Sequence, residues 1–327
     1  MLKGYRESSM SIWDGRIDDG EEYDSFRWHQ YIKPLDLGSD IEYNNDKLAF
    51  VLIGYELDEG ILANKGKVGA KFGSRHIRKN LCNKPCSFSQ ELKIYDGGNV
   101  SFVDNVESSQ ETLAIIVEKC IKNNYFPIVI GGGHDLSYGS LKGIINTLND
   151  DDNFGMITFD AHFDFRKSDI STSGSMFYQI YEDMKKKNIN YNYLAIGIQK
   201  SANTVRLFKR ADQYNAKYIL SQDLSREKIK LNEYIIDSFM EDLDKVYVCV
   251  CMDVFASAFA PGVSSPQPMG IYPETFLVLL KHLMKNKKMI AFDVAETSPG
   301  LDQTSNTAGL AALIIYSLVN FYGEIYL

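Results

Sequence analysis

Short apolar runs rich in β-branched and aromatic residues recur along the chain, separated by longer stretches with helical spacing. Their length and composition are typical of buried strands in a parallel sheet. Eight strands are predicted, at residues 49–54, 92–95, 127–130, 155–159, 193–198, 217–220, 246–251 and 289–292.

The stretches between these runs predict helices. In 108–122, apolar residues including Leu113 and Val117 share one helical face, and Ser108 followed by Glu111 indicates a capping box at the start. Further helices are predicted at 136–148, 204–214, 230–239 and 273–284. Because strands alternate with helices, we predict an α/β fold with one open, mostly parallel, eight-stranded sheet flanked by helices.

The domain organisation is predicted to be simple. Residues 1–45 are polar and aromatic, and we expect them to form an N-terminal arm that packs on the main body through Trp13 and Trp28. No repeat, low-complexity tract or linker divides the rest, so residues 46–327 are predicted to form one domain.

Composition narrows the class of partner. A net charge of -8 and a pI near 5.3 argue against nucleic-acid and membrane-surface partners. The five cysteines lack the spacing of a disulfide framework. No signal peptide is visible, and the apolar stretch 307–319 is expected to be too short and too interrupted to span a bilayer. We therefore expect a cytoplasmic protein.

Candidate chemistry lies directly after the strand at 155–159, in Asp160-Ala-His162-Phe-Asp164. Parallel sheets bind ligands beyond the carboxyl ends of their strands. Alternate positions of an extended segment place their side chains on one side. Two carboxylates and an imidazole crowded together favour a divalent cation, although solvated polar residues at a strand end are the alternative.

Three other strand ends carry similar groups. His134 follows a run of three glycines, Cys249, Cys251 and Asp253 alternate at the end of 246–251, and Glu296 follows the last strand. Glu296 fits a cationic substrate group, or else a turn cap. Cys249 is interpreted as a small buried hydrophobe, whereas the role of Cys251 stays open. No Gly-Lys-Ser/Thr follows the glycines, which excludes a phosphate-binding loop.

Together these motifs resemble the arginase/agmatinase/formimidoylglutamase (ureohydrolase) family, in the family's order and over roughly residues 50–325. The motifs are Gly-Gly-Gly-His134, Asp160-Ala-His162-Phe-Asp164, Asp253 with Ala-Pro261-Gly262, and Glu296-x-x-Pro299. The likeness is closest to the formimidoylglutamase branch, through Asn64-Lys-Gly-Lys-Val-Gly-Ala70, Asp164-Phe-Arg166, Ser173-Gly-Ser-Met-Phe-Tyr-Gln179 and Phe259-Ala-Pro-Gly-Val-Ser264.

The resemblance implies an arginase-like catalytic domain with two Mn²⁺ ions at the strand ends. The residues that match family metal ligands are His134, Asp160, His162, Asp164 and Asp253. Cys251 replaces the first aspartate of the family's Asp-x-Asp pair, and a soft thiolate favours zinc or iron over manganese. Either Cys251 binds a metal as thiolate, or one metal position is weakened or empty.

On the substrate side, Ser173-Gly174 stands where arginases and agmatinases have His-Gly, and Arg166 offers a guanidinium to a carboxylate. The resemblance implies a formimidoylglutamase of histidine breakdown, which converts N-formimidoyl-L-glutamate to L-glutamate and formamide through a metal-activated hydroxide. The implied roles are binding of the amidinium by Glu296, proton transfer by Asp164, and orientation of the carboxylates by Arg166 and the segment containing Ser173, Gly174 and Tyr178.

Two alternatives remain open at this point. One is an arginase- or agmatinase-type guanidino hydrolase, against which the missing histidine and Arg166 speak. The other is a non-catalytic family member with a degraded metal site, which the replacement by Cys251 motivates. Family members commonly assemble into trimers or hexamers, so a homo-oligomer acting on a small-molecule substrate is a further expectation.

Overall fold

A single sheet forms the centre of the protein in a computed structural model that describes residues 2–46 and 48–326; within them the sheet has ten strands. The strands are β1 (Tyr5–Arg6), β2 (Lys33–Pro34), β3 (Leu48–Glu56), β4 (Leu92–Ser101), β5 (Phe126–Ile130), β6 (Phe154–Phe159), β7 (Asn192–Ile198), β8 (Lys217–Leu220), β9 (Lys245–Cys251) and β10 (Met289–Ala295). Their order is β1-β4-β3-β5-β10-β9-β6-β7-β8, with β2 also paired to β4. Strands β3 to β10 run parallel, which confirms the predicted eight-stranded core, and the short β1 is antiparallel to β4.

Helices cover both faces of this sheet. They are α1 (Trp28–Tyr31), α2 (Glu59–Ala63), α3 (Gly73–Cys82), α4 (Val106–Lys122), α5 (Leu136–Ile145), α6 (Met176–Lys186), α7 (Val205–Gln213), α8 (Ile229–Met240), α9 (Pro273–Met284) and α10 (Asn306–Tyr326). The five predicted helices are present as α4, α5, α7, α8 and α9, whereas the short α1 and α2 and the longer α3, α6 and α10 were not predicted. The predicted capping box is wrong, because α4 begins earlier and the Asn105 side chain accepts a hydrogen bond from the Ser108 N–H at 2.7 Å.

Helix α10 is longer than the apolar stretch in the sequence indicated. Its 21 residues are long and apolar enough, by length and composition, to cross a membrane, so the expectation that this segment is too short was wrong. Within the fold 56% of its most apolar window is buried, and the helix packs against α3 and α9. Leu310, Ile314 and Leu318 lie in the hydrophobic core, which is the usual role of such a helix in a globular protein.

The N-terminal segment is held on the main body by pairing and by buried polar contacts. Strands β1 and β2 both pair with β4, and Trp28 is fully buried. Trp13 Nε1 donates to Asp96 Oδ2 at 2.6 Å, and Arg78 of α3 donates to both oxygens of the same carboxylate at 2.8 and 2.9 Å. The division into an arm at 1–45 and a catalytic domain at 46–327 stays a prediction, and its residues 1, 47 and 327 lie outside the described residues.

Strand order decides where the candidate chemistry meets. Strands β5, β10, β9 and β6 are consecutive neighbours in the middle of the sheet, and all four run parallel. Their carboxyl ends therefore lie side by side at one edge, although they are far apart in sequence. All the candidate metal ligands lie at or just beyond the ends of β5, β6 and β9, and Glu296 follows the end of β10.

Candidate metal centre

The loop after β5 is shaped by its glycines. Gly131 and Gly132 have φ angles of 80° and 75°, in the left-handed region that favours glycine. A Cβ atom on Gly131 would lie 2.3 Å from the backbone nitrogen of Ser74, so helix α3 leaves no room for a side chain there. The backbone N–H of Glu296 donates to the Gly132 carbonyl at 2.9 Å, which fixes the end of β10 against this loop. The turn delivers His134 to the carboxyl edge.

Two groups of potential ligands converge there. The ligand atoms of His134, Asp160 and Cys251 lie within 4.8 Å of one another, and so do those of Asp160, His162 and Asp253. Asp160 belongs to both groups, as expected of a carboxylate between two adjacent cation positions. The structure thus brings five of the six predicted metal ligands into two overlapping clusters.

Distances within these clusters are short. Nδ1 of His134 lies 2.9 Å from Asp160 Oδ2 and 3.0 Å from Asp164 Oδ2. Nδ1 of His162 lies 3.0 Å from Asp253 Oδ2. Asp253 Oδ1 is buried and has no hydrogen-bond partner among the described residues. Buried carboxylate oxygens beside imidazole nitrogens are the donor set that divalent transition metals bind.

The site concentrates acidic groups away from water. Burial, together with the charge of Asp160, raises the pKa of Asp164 to about 6 and also raises that of Asp253. Burial opposes ionisation of Asp160 too, but the two imidazoles beside it outweigh this effect and lower its pKa. Burial likewise disfavours the charged form of His134, yet the surrounding acidic groups raise its pKa well above the ordinary value. Bound cations would relieve the same excess of negative charge.

The sequence indicated that Asp160, His162 and Asp164 lie on an extended segment, but in the structure they do not. Strand β6 ends at Phe159, and the His162 N–H donates to Asp160 Oδ1 at 2.7 Å in the following loop. Asp164 adopts a φ of 49°, in the left-handed region. The three side chains converge because the loop turns over the carboxyl edge of the sheet. The alternating pattern in the sequence therefore identified residues that do converge, but it attributed their convergence to strand geometry and not to the loop.

A cavity of about 260 Å³ opens above these ligands. Its lining includes six of the candidate metal and catalytic residues, namely His134, His162, Asp164, Cys251, Asp253 and Glu296, together with the substrate candidates Arg166 and Ser173. Gly174 lies beside them, where its carbonyl accepts a hydrogen bond from the Arg166 N–H at 2.9 Å. Tyr178 is not among the lining residues; its ring stacks against Tyr214 and lies under the Lys167 ammonium group.

Several lining residues received no role in the sequence analysis. Asn64, Lys65, Leu207 and Ser265 also face the cavity, and Asn64 Nδ2 donates to Ser173 Oγ at 3.3 Å. Asn64 and its neighbours entered only as part of the family resemblance, because a polar loop far upstream gives no local sign of its position.

Cys249 is buried in the hydrophobic core, which confirms its interpretation as a small buried hydrophobe, and it also makes polar contacts. Its Sγ atom is fully buried but lies 3.2 Å from Nε2 of His134 and 3.2 Å from Oγ of Ser137. A sulfur atom in polar contact with an imidazole is part of the support of that ligand, not only of the hydrophobic core.

Comparisons with known proteins agree with this geometry. The model of the arginase family matches residues 48–320. The chain is 42% identical to a formimidoylglutamase of Clostridium tetani, over 98% of this chain and 97% of that protein. It is 39% identical to a formimidoylglutamase of Fusobacterium nucleatum, over 94% and 96% respectively.

Solved structures share the fold at lower identity. Formimidoylglutamase from Bacillus subtilis superposes with a TM-score of 0.78 at 21% identity, covering 91% of this chain and 92% of that one. Trypanosoma cruzi formiminoglutamase with Mn²⁺ superposes with a TM-score of 0.74 at 21% identity, covering 88% and 98%. The family model and these full-length relatives lead to one conclusion: the chain belongs to the arginase family.

Proposed function

We propose that the protein hydrolyses N-formimidoyl-L-glutamate to L-glutamate and formamide. The observation that carries this proposal is the cavity in which two overlapping clusters of metal ligands, buried Glu296 and the Arg166 guanidinium face the same space. The names of relatives up to 42% identical over nearly the whole chain support the same substrate. The substrate carries a cationic amidine at one end and two carboxylates at the other, which suits an acidic pocket with a basic wall.

The residues present fit two divalent cations. His134, Asp160, Asp164 and Cys251 would hold one ion, and Asp160, His162 and Asp253 would hold the other. Asp253 Oδ1, which has no hydrogen-bond partner among the described residues, supports this assignment. Manganese is the metal named for the Trypanosoma cruzi relative, and we extend it to this chain for the cluster that lacks sulfur. When bound, such ions make water acidic enough to supply a nucleophile near neutral pH.

For Cys251 we propose ligation as a thiolate. Its side chain is only 2% exposed, and its Sγ lies within 4.8 Å of the ligand atoms of His134 and Asp160. Burial by itself raises the pKa of this thiol well above its ordinary value, so ionisation depends on the charge of a bound cation. A sulfur ligand shifts the preference of this position towards zinc or iron.

The chain's own residues divide the remaining work. Glu296 is buried, and its Oε2 has no hydrogen-bond partner among the described residues, so it is free to accept from the amidinium. Arg166 pairs with a substrate carboxylate, and Ser173 and Gly174 border the same end of the cavity. Water adds to the formimidoyl carbon, the bond from that carbon to the glutamate nitrogen breaks, and Asp164 transfers a proton to the departing nitrogen.

The proposal also covers the setting of the enzyme. All five cysteines are free in the structure, as is usual for a reducing compartment, and we propose a cytoplasmic location without a nucleic-acid or membrane partner. Light scattering on the purified protein tests the homo-oligomer that the resemblance implies.

Product analysis tests the substrate. The metal-loaded protein is incubated separately with N-formimidoyl-L-glutamate, L-arginine and agmatine, and released formamide and urea are measured. Formamide from the first substrate alone supports the proposal, and urea from either guanidino compound contradicts it.

Metal content tests the role of Cys251. We expect Cys251→Ser to lose one ion relative to the parent and Cys251→Asp to retain two while shifting its preference towards manganese. A degraded site predicts instead that the parent binds one ion and that Cys251→Asp gains both a second ion and activity.

A further inference from the structure

Behind His134, on the side away from the cavity, four buried side chains form a continuous row. Nε2 of His134 lies 3.2 Å from Sγ of Cys249, which in turn lies 3.2 Å from Oγ of Ser137. The Tyr247 hydroxyl lies 2.8 Å from Ser137 Oγ and 2.6 Å from Asp293 Oδ2. All four residues of this row have 0% exposure. None of them touches the cavity, and the proposed reaction uses none of them.

The number of hydrogens that each side chain can donate fixes the direction of the hydrogen bonds along the row. An ionised Asp293 can only accept, and at 2.6 Å it takes the single hydrogen of the Tyr247 hydroxyl in a charge-assisted bond. Ser137 must then supply the hydrogen of its contact with Tyr247. The thiol of Cys249 has to donate to Ser137 for the same reason.

The last hydrogen bond of the row is donated by the His134 imidazole. Because the Cys249 hydrogen points to Ser137, its sulfur accepts the hydrogen on Nε2 of His134. In the neutral imidazole that binds a metal ion, Nδ1 is then the nitrogen with the lone pair, and it lies 2.9 Å from Asp160 Oδ2, in the cluster of potential metal ligands. The opposite direction would place the hydrogen on Nδ1, where it blocks coordination.

We propose that Asp293, acting through this buried row, is a positioning residue that keeps Nδ1 of His134 free to bind a metal ion. The inference rests on the proposed metal centre but not on the identity of the substrate. A buried carboxylate in the middle of a sheet lowers the stability of the fold, and packing alone would be served by an apolar residue. A role in orienting a metal ligand accounts for the presence of Asp293 there.

Two substitutions break the row at different points. Ser137→Ala separates the imidazole from the carboxylate and leaves the Tyr247–Asp293 hydrogen bond in place. Tyr247→Phe removes the link to the carboxylate itself. Loss of such a partner typically weakens metal binding by about 10- to 100-fold, and we expect that range for both variants.

Tyr322→Phe is the matched control for Tyr247→Phe. Tyr322 is also buried, and its hydroxyl donates to the Met289 carbonyl at 3.2 Å, outside the row. We expect this variant to bind metal as the parent does. Thermal unfolding of every metal-free protein separates an effect on the ligand from a general loss of structure.

Zn²⁺ is the probe, because it is diamagnetic and accepts both imidazole and thiolate ligands. Affinity is measured on the full-length protein by competition with a chelating dye, at a pH above the value of about 7 to which burial raises the pKa of Asp293. Nitrogen-15 NMR of labelled histidine then reports the nitrogen that carries hydrogen. In the zinc-loaded parent we expect it on Nε2 of His134.

The outcomes separate this inference from the proposed function. Weaker zinc binding by Ser137→Ala and Tyr247→Phe, with unchanged binding by Tyr322→Phe, supports it. Parent-like zinc affinity in both row variants, or hydrogen on Nδ1 in the zinc-loaded parent, overturns it alone. Failure of the parent to bind zinc overturns the metal centre and this inference together. A different substrate leaves all of these results unchanged, because no substrate is present.

Discussion

Glu296→Gln isolates the contact proposed to recognise the substrate's cationic end. Oε1 of Glu296 accepts from the His134 N–H at 3.3 Å, and Oε2 has no partner among the described residues. Glutamine keeps the shape and the first bond. Because its only oxygen accepts that bond, glutamine presents at the second position an N–H₂ group that opposes the donors of the amidinium.

The size of the effect follows from that single lost bond. A hydrogen bond to a charged group contributes about 1.5–3 kcal/mol. At about 1.4 kcal/mol per factor of ten, we expect kcat/KM to fall by about 10- to 150-fold. The free energy of unfolding of the metal-free protein should rise in this variant. Burial raises the pKa of Glu296 to about 8, so its charge is unfavourable in the folded metal-free protein and a neutral amide removes that cost.

Formamide release by the metal-saturated enzyme measures kcat/KM, and urea unfolding of the metal-free protein measures the free energy of unfolding. Glu274→Gln, at an exposed position in the first turn of α9, is the control and keeps parent activity. Parent-like kcat/KM in Glu296→Gln would refute the proposed contact. A lower unfolding free energy for this variant would show that the carboxylate has a structural role instead.

The other predictions concern carboxylate recognition, stability and pH. Arg166→Met should raise KM by about tenfold, or about 1.4 kcal/mol, and leave kcat near its parent value, because the lost pairing lies far from the reacting carbon; a large fall in kcat at unchanged KM argues against it. Arg78→Met should lower the unfolding free energy by about 3–5 kcal/mol in urea titrations, because it leaves the buried Asp96 carboxylate without its cationic partner, whereas exposed Arg75→Met should change it little. Raised pKa values of about 6 for Asp164 and about 8 for Glu296 mean that the folded metal-free protein holds more protons than the unfolded chain. Its melting temperature in chelator should therefore fall as pH rises from about 4 to about 8; a rise across that window contradicts the burial of these acids.

The cavity, the ligand clusters and the buried row are neighbouring parts of one site, which lies on strands β5, β10, β9 and β6. Strand β9 contributes to all three parts, because Tyr247, Cys249 and Cys251 alternate along it and face the same side. Strand β10 supplies Asp293 to the row and, after a turn, Glu296 to the cavity. A substitution in either strand is therefore expected to affect metal binding even where it does not touch a metal.

The sequence alone determined the elements and the residues with chemistry. Eight apolar runs gave the eight parallel strands, because strands buried on both faces are apolar throughout and bounded by polar turns. Residues at the ends of three of those runs gave the candidate metal ligands and the end of a fourth gave Glu296, since a parallel sheet places its sites at its carboxyl edge. Helix α10 escaped detection because it is apolar on most of its surface and shows no clear polar face, and α3 because it carries few apolar residues.

Only the tertiary structure decided which strands are neighbours, and therefore which side chains meet. The order β5-β10-β9-β6 joins His134, Asp160 and Cys251 across more than a hundred residues of chain, and no local pattern contains that order. The same packing brought the core residue Cys249 into contact with His134 and placed Asn64 in the cavity. Local sequence sets backbone preference and burial, whereas contacts between distant segments depend on how the whole sheet is assembled.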